Sequence, residues 1–249
     1  MVSDGKEVAF KLSDCCVLKI VQGDITIWSV DGSSDAIVNP ANGRMLGGNG
    51  ADGAIHDAAG SQLRAACYEV PEVSPGIRCP TGEARITPGF NLQASHVIHT
   101  VGPIYNAEKN PNKLLESAYK NSLRVAKDNN IQYIAFTAIS CGIFRYPLDE
   151  AATIAISTVK QFGKDFKEVA LHFSLKPFIC FTRFYLNPTS TLRYLSLVHF
   201  VMFNEDTYTV WLNKAKDLLP PPQGRSFSPS PQTAKTRFLS NLNCCFKPV

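Results

Sequence analysis

None of the eight cysteines stands in a CxxC pair, and no histidine joins one at zinc-finger spacing, which excludes the common structural metal frameworks. No apolar run approaches the roughly 18 residues that a membrane-spanning helix needs. The start, "MVSDGKEVAF", has no basic stretch followed by an apolar one and does not read as a secretory leader. Together these absences lead us to expect a soluble protein with free thiols in a reducing compartment, cytoplasmic or nuclear. Acid is missing from two stretches, Ala170 to Leu197 and Pro220 to Val249, which hold seven of the 25 basic residues. Without them the chain has more acid than base, so the formal charge of +4 overstates its attraction to polyanions. Phosphate-backbone binding is therefore not expected as the main activity, and nucleic acid is not an expected partner.

What is present alternates. "VAFKL", "CCVLKIVQG", "DAIVN", "GEARITPGF", "SHVIHTVG", "YIAFTAIS" and "VHFVMF" read as strands, rich in β-branched or apolar residues and bounded by Gly, Asp and Asn. Between them, "ADGAIHDAAGSQLRAACYEV" reads as one helix with Ile55, Ala59, Leu63 and Ala66 on its apolar face. Further helices are expected in "NKLLESAYKNSLRVAKDNN", "PLDEAATIAISTVKQFG" and "EDTYTVWLNKAKDLL". Such alternation predicts an α/β layered domain with a largely parallel central sheet, over residues 1–219. The Pro/Ser-rich basic stretch 220–249 reads as a disordered tail.

In sheets of this kind, ligands sit beyond the carboxyl ends of the strands. Three loops fall there: "VQGDIT", "NPANGRMLGGNGADGAIH" and "ISCGIFRYP". Glycine lets successive backbone N–H groups converge on an anion, and a helix starting near Ala51 adds its dipole. Taken singly, each glycine cluster is equally compatible with tight turns that bind nothing.

In combination, "QGDIT", "DAIVNPAN", "LGGNGADGAIHDAAG", "TGEARITPGF", "VIHTVGP" and "ISCGIFRYP" resemble the macrodomains, and the MacroD-type branch in particular. The resemblance spans roughly Val21 to Leu219 and implies a three-layer α/β/α fold with a mixed, largely parallel sheet. It also implies an ADP-ribose site and hydrolysis of ADP-ribosyl esters, on acidic side chains of proteins or in O-acetyl-ADP-ribose. By that resemblance Asp24 would accept from the adenine amine with Ile25 beside it, although Asp24 also suits a turn former. Gly47, Gly48, Gly50 and Ala51 would form one wall of a diphosphate cleft, and Ser140, Gly142, Ile143 and Phe144 the other. Phe203 would stack on adenine; otherwise it is a core aromatic. Asn42 would hold a ribose hydroxyl, and Asp52 would orient or deprotonate the attacking water. At a helix start, the Asp52 carboxylate is expected to be stabilised in its charged form. His56, one turn on, reads as structural. No metal and no cofactor are required; the expected partners are ADP-ribose or ADP-ribosylated proteins, met by a monomer.

Four features depart from the family pattern. Asn49 stands where glycine is usual, and asparagine tolerates left-handed backbone. Arg145 also replaces a glycine; either the loop must shift, or the guanidinium reinforces diphosphate binding. Asp57 replaces a basic position and reads as a surface change. Ala170–Leu197, with six aromatics and no acid, interrupts the domain at the start of a core strand. It reads as translated non-coding sequence, such as a retained intron, and "VALHFSL", from Val169 into its start, as a rival for the sheet position of "VHFVMF". Arg145 and the insertion keep open a non-catalytic ADP-ribose reader, or an inactive isoform.

Overall fold

A computed structural model of the chain describes residues 6–13, 16–172 and 197–220, with the side chains of 164–172 outside that description. The strands are β1 (Glu7–Lys11), β2 (Val17–Gln22), β3 (Asp35–Pro40), β4 (Ala84–Pro88), β5 (His96–Thr100), β6 (Tyr133–Phe136) and β7 (Leu197–Met202). They form one sheet in the order β1-β2-β7-β6-β3-β5-β4. The five inner strands run parallel, and β1 and β4 close the edges antiparallel. The mixed, largely parallel α/β fold expected from the sequence is what forms.

Parallel strands are covered on both faces, and the period of two sorts their side chains. In β3, Ala36 and Val38 join a core with Leu115, Leu123, Ile156, Phe200 and Trp211, under α3 (Pro111–Asp128), α4 (Leu148–His172) and α5 (Glu205–Leu218). Ile37 faces the other way, to a smaller core with Ile55, Leu63, Cys67, Val97 and Val201 beneath α1 (Ala51–Ala59) and α2 (Ser61–Glu69). All these side chains are buried, and the three layers follow from this two-sided apolar pattern.

Two expectations are corrected. Residues 51–70 are not one helix: the chain breaks at Gly60, whose φ of 82° ends α1 with its N–H on the His56 carbonyl at 3.1 Å and starts α2. The break shifts the helical phase, so Cys67 is buried where Ala66 was expected to be. Nor is "VALHFSL" a strand at its start, because α4 runs on to His172. The stretch 164–172 is rich in helix formers and has no proline, so the helix has no reason to stop at Gly163. β7 takes the contested sheet position, in register with β2 on one side and β6 on the other. The aromatic segment from residue 173 to 196 and the tail from 221 lie outside the described residues.

The turn between β4 and β5 shows how closely the backbone is fitted. A Cβ on Gly89 would lie 2.0 Å from the Ala94 carbonyl oxygen, whereas one on Gly142 would meet nothing within 4 Å. Gly89→Ala should lower stability by about 1–3 kcal/mol, as overpacking does. Gly142→Ala should stay within about 0.5 kcal/mol of the parent. Urea midpoints of the two variants, read against the parent chain, test the pair.

Candidate functional site

The carboxyl ends of β2, β3, β6 and β7 open into a cleft of about 740 Å³, within the range of roughly 300–1,000 Å³ typical of small-molecule sites. Its lining comes from the loops that follow those strands: Gly23 to Thr26, Pro40 to Asn42, Gly48 to Asp52, Thr137 to Phe144, and Val201 to Asn204. Every residue expected at the site lines it except Gly47. Gly47 instead packs over the His56 ring and accepts from Asn42 Nδ2 at 3.0 Å.

The two glycine-bearing loops are shaped by left-handed backbone. On one side it falls at Gly47 (φ 85°) and Gly50 (φ 65°) and not at Asn49, so the asparagine meets no conformational demand there. Gly48 is needed for space: a Cβ would stand 2.9 Å from Asp52 Oδ2. Gly53 is needed for the same reason, because its Cβ would come within 2.5 Å of the Gly48 carbonyl oxygen. On the other side, Ser140 (φ 66°) and Arg145 (φ 54°) adopt left-handed backbone with full side chains, the kind of local strain that collects at functional loops. The loop has kept its turn despite Arg145, with the Arg145 N–H on the Gly142 carbonyl at 3.0 Å. The Arg145 side chain is exposed and does not line the cleft, so the expected reinforcement of an anion site is absent. Asp57 is exposed, as expected of a surface change.

At one end of the cleft, Asp24 does form a turn: its Oδ1 accepts from the Thr26 N–H and hydroxyl, both at 2.8 Å, and caps the one-turn helix Ile25–Ile27. Phe203 is 82% exposed and faces the cleft, which rules out the core-aromatic reading. Asn204 beside it caps α5, accepting from the Thr207 N–H at 2.8 Å. Along the middle, Thr137 Oγ1 and Ser140 Oγ are buried in the lining without a hydrogen-bond partner, a costly state unless something in the cleft completes it.

At the other end lies Asp52, 4% exposed. Asn39 Nδ2 donates to its Oδ1 at 2.8 Å, His56 Nε2 is 3.5 Å from the same oxygen, and Asn42 Nδ2 lies 3.4 Å from Oδ2. Burial pushes the Asp52 carboxyl up, against the Asn39 hydrogen bond and the nearby His56, which pull it down. This corrects the helix-start expectation: the carboxylate is taken out of water, and that loss outweighs the Asn39 bond and His56 together. Burial likewise pushes His56 down, favouring the neutral ring.

Sequence reasoning missed three buried polar residues behind Asp52. Asn39 on β3 and His99 on β5 are fully buried, 3.1 Å apart from Nδ2 to Nδ1, and His99 Nε2 lies 2.9 Å from Thr87 Oγ1 on β4. The signal was present: Asn39 and His99 interrupt apolar strands at positions that face a core, where a polar group needs partners. Spacing also hid that His56, Cys67 and His99, from α1, α2 and β5, bring potential ligating atoms within 4.8 Å of one another.

Comparison with known proteins gives a consistent picture. The macro domain family model matches residues 38–155. A macro domain-containing protein of Vibrio parahaemolyticus is 54% identical over 144 residues, 58% of this chain and 82% of that protein. The ADP-ribose glycohydrolase MACROD2 of Xenopus laevis is 46% identical over 161 residues, 64% of this chain but 36% of that protein. Among solved structures, the Oceanobacillus iheyensis macrodomain with ADP aligns at a TM-score of 0.70 and 36% identity, covering 87% of this chain and 98% of that one.

The strain at Arg145 can be measured. Left-handed backbone costs a residue with a side chain about 1–3 kcal/mol, and glycine's freedom in the unfolded chain returns about 0.5–1 of that. Arg145→Gly should therefore raise stability by roughly 1 kcal/mol, read as a higher urea midpoint at unchanged slope.

Proposed function

The chain belongs to the macro domain family, and we propose that it binds ADP-ribose in this cleft and hydrolyses ADP-ribosyl esters. The observation that carries the reading is the Asp52 carboxylate. It stands out of water at the end of a cleft whose neighbouring walls are backbone loops suited to a diphosphate. Adenine would lie on the exposed ring of Phe203 near Asp24, and the diphosphate between Gly48–Ala51 and Ser140–Phe144. Asn42 would hold a hydroxyl of the distal ribose beside Asp52. The N-terminus of α1, at Ala51, adds its positive end to the diphosphate wall.

In this arrangement Asp52 Oδ1 is anchored by Asn39, leaving Oδ2 to face Gly48 and the cleft. A water held by Oδ2 adds to the ribose-linked ester as the carboxylate takes its proton. The ester C–O bond then breaks and the ribose oxygen leaves as a free hydroxyl, taking back the proton that Asp52 had accepted; the acyl group departs as a carboxylic acid that ionises in water, and ADP-ribose is the other product in both cases. A raised Asp52 carboxyl makes the residue a better proton acceptor than an ordinary surface aspartate. Both protein-linked ADP-ribose and O-acetyl-ADP-ribose present such an ester. The reader alternative rested on Arg145 and on the inserted segment; the loop keeps its turn with Arg145 in place and its side chain outside the cleft, and residues 173–196 of the segment lie outside the described residues.

Calorimetry and turnover on the full chain separate binding from chemistry. Asp52→Ala should bind ADP-ribose within about threefold of the parent while losing at least about 100-fold in turnover, the contribution expected of a positioned general base. Equal turnover by that variant refutes the role. Phe203→Ala should weaken ADP-ribose binding by about 1–3 kcal/mol, as loss of a stacked base does, with little effect on turnover at saturation.

A further inference from the structure

Three residues behind Asp52 raise two competing possibilities. His56, Cys67 and His99 have ligating atoms close enough to suggest a metal site, with Cys67 Sγ 3.7 Å from His99 Nε2. The same His99 also lies in a chain of hydrogen bonds that ends on Asp52, and the hydrogen count along that chain decides between them.

Asn39 is the fixed point. Its amide group faces two acceptors-in-waiting: Asp52 Oδ1 at 2.8 Å and His99 Nδ1 at 3.1 Å. Turning the amide round would set its oxygen against a carboxylate oxygen at that distance, so the NH2 group must face Asp52. The NH2 has two hydrogens; one goes to Asp52, and the other needs a lone pair on His99 Nδ1. The cost of this orientation is visible, since Asn39 Oδ1 is buried with no hydrogen-bond partner. A lone pair on Nδ1 of the neutral ring puts the proton on Nε2, which donates to Thr87 Oγ1 at 2.9 Å. A nitrogen that carries a proton offers no lone pair to a metal. Burial keeps the ring neutral, with its pKa held down to about 3, so no protonated form competes. Asn39, His99 and Thr87 are 0%, 0% and 4% exposed, and none of the three lines the cleft. Water therefore does not repair a broken link.

We infer that His99 and Thr87 are positioning residues for the reaction: Thr87 holds the Nε2–H form of His99, His99 holds the amide of Asn39, and Asn39 aims the Asp52 carboxylate at the cleft. This rests on the hydrolase reading of Asp52. It assigns a role to two side chains on β4 and β5 that never touch the ligand. The His56–Cys67–His99 cluster is then a packed interior in which His99 has no lone pair to give, and it binds no metal.

The test uses the full chain and the nearly isosteric Thr87→Val, with Thr87→Ser to restore the hydroxyl. Thr87→Val should lower kcat for ADP-ribosyl ester hydrolysis about tenfold or more, as small misplacements of a catalytic group do, at unchanged KM and unchanged ADP-ribose affinity. Thr87→Ser should recover most of the loss. Nitrogen-15 spectra of the imidazoles should show His99 as the Nε2–H form in the parent, with a second form populated in Thr87→Val. Parental kcat in Thr87→Val overturns the inference, as does a parent His99 protonated on Nδ1. So does binding of cobalt(II) with a thiolate charge-transfer band that Cys67→Ala removes. If the parent binds ADP-ribose but hydrolyses no ester, the hydrolase reading fails. The imidazole spectra, which need no turnover, then decide the relay alone.

Discussion

A carboxylate held out of water at the start of a short helix is the constraint on which the rest of this site depends. Moving Asp52 into the interior costs free energy that must be recovered by hydrogen bonds, and much of the surrounding design follows from that need. Asn39 supplies the short bond to Oδ1. Gly48 and Gly53 keep side chains away so that the loop can close over Asp52 with its backbone alone. His56, one turn on, sits 3.5 Å away. Burial holds that ring toward its neutral form, and its Nε2 makes no hydrogen bond, so it does not neutralise the carboxylate by full ion pairing.

The sheet makes this affordable in geometric terms. Parallel strands end at a common edge, so the segments that follow four of them converge on one cleft. The antiparallel edge strand β4 contributes from behind: its pairing with β5 brings Thr87 and His99 onto the same face, and Thr87 thereby reaches the ring. Strain is confined to the loops. Ser140 and Arg145 are left-handed within six residues, while the strands beneath them carry a fully buried apolar core.

The alternation of strands and helices was legible because apolar periodicity and burial are the same fact seen twice, as Ile37 against Ala36 and Val38 shows. The cleft-lining residues were legible through the resemblance, since loops rich in glycine, proline and asparagine carry their geometry in their composition. What was not legible depended on distance through space. Gly60 could be seen as a residue but not as a helix break, because a glycine inside an apolar stripe is equally consistent with a continuous helix. Asp52 at a helix start predicted a stabilised charge; its burial, set by strands and loops far along the chain, reversed the direction. The Thr87–His99–Asn39 chain joins three strands, and no local pattern announces which polar residues on them will meet.

The two ends of the cleft rest on different parts of the chain. Asp52, Asn42, Asn39, His99 and Thr87 belong to β3, α1, β4 and β5 and the loops beside them, all before residue 101. The other end rests on β7, through Phe203 and Asn204, and on the turn after β2. A buried bond ties these two pieces together, Trp28 Nε1 donating to His199 Nδ1 at 2.6 Å. The two ends are not independent, because Val201 of β7 packs in one core with Ile37 of β3 and Ile55 of α1. Residues 173–196 join α4 to β7, and added length between fixed ends costs closure entropy only slowly; β7 pairs in register with β2 and β6. A disturbance of β7 reaches Phe203 and the Trp28–His199 bond, and through Val201 the core beneath α1. The carboxylate and its hydrogen-bonded support come from a contiguous, earlier stretch of sequence, and β7 reaches them through the shared core.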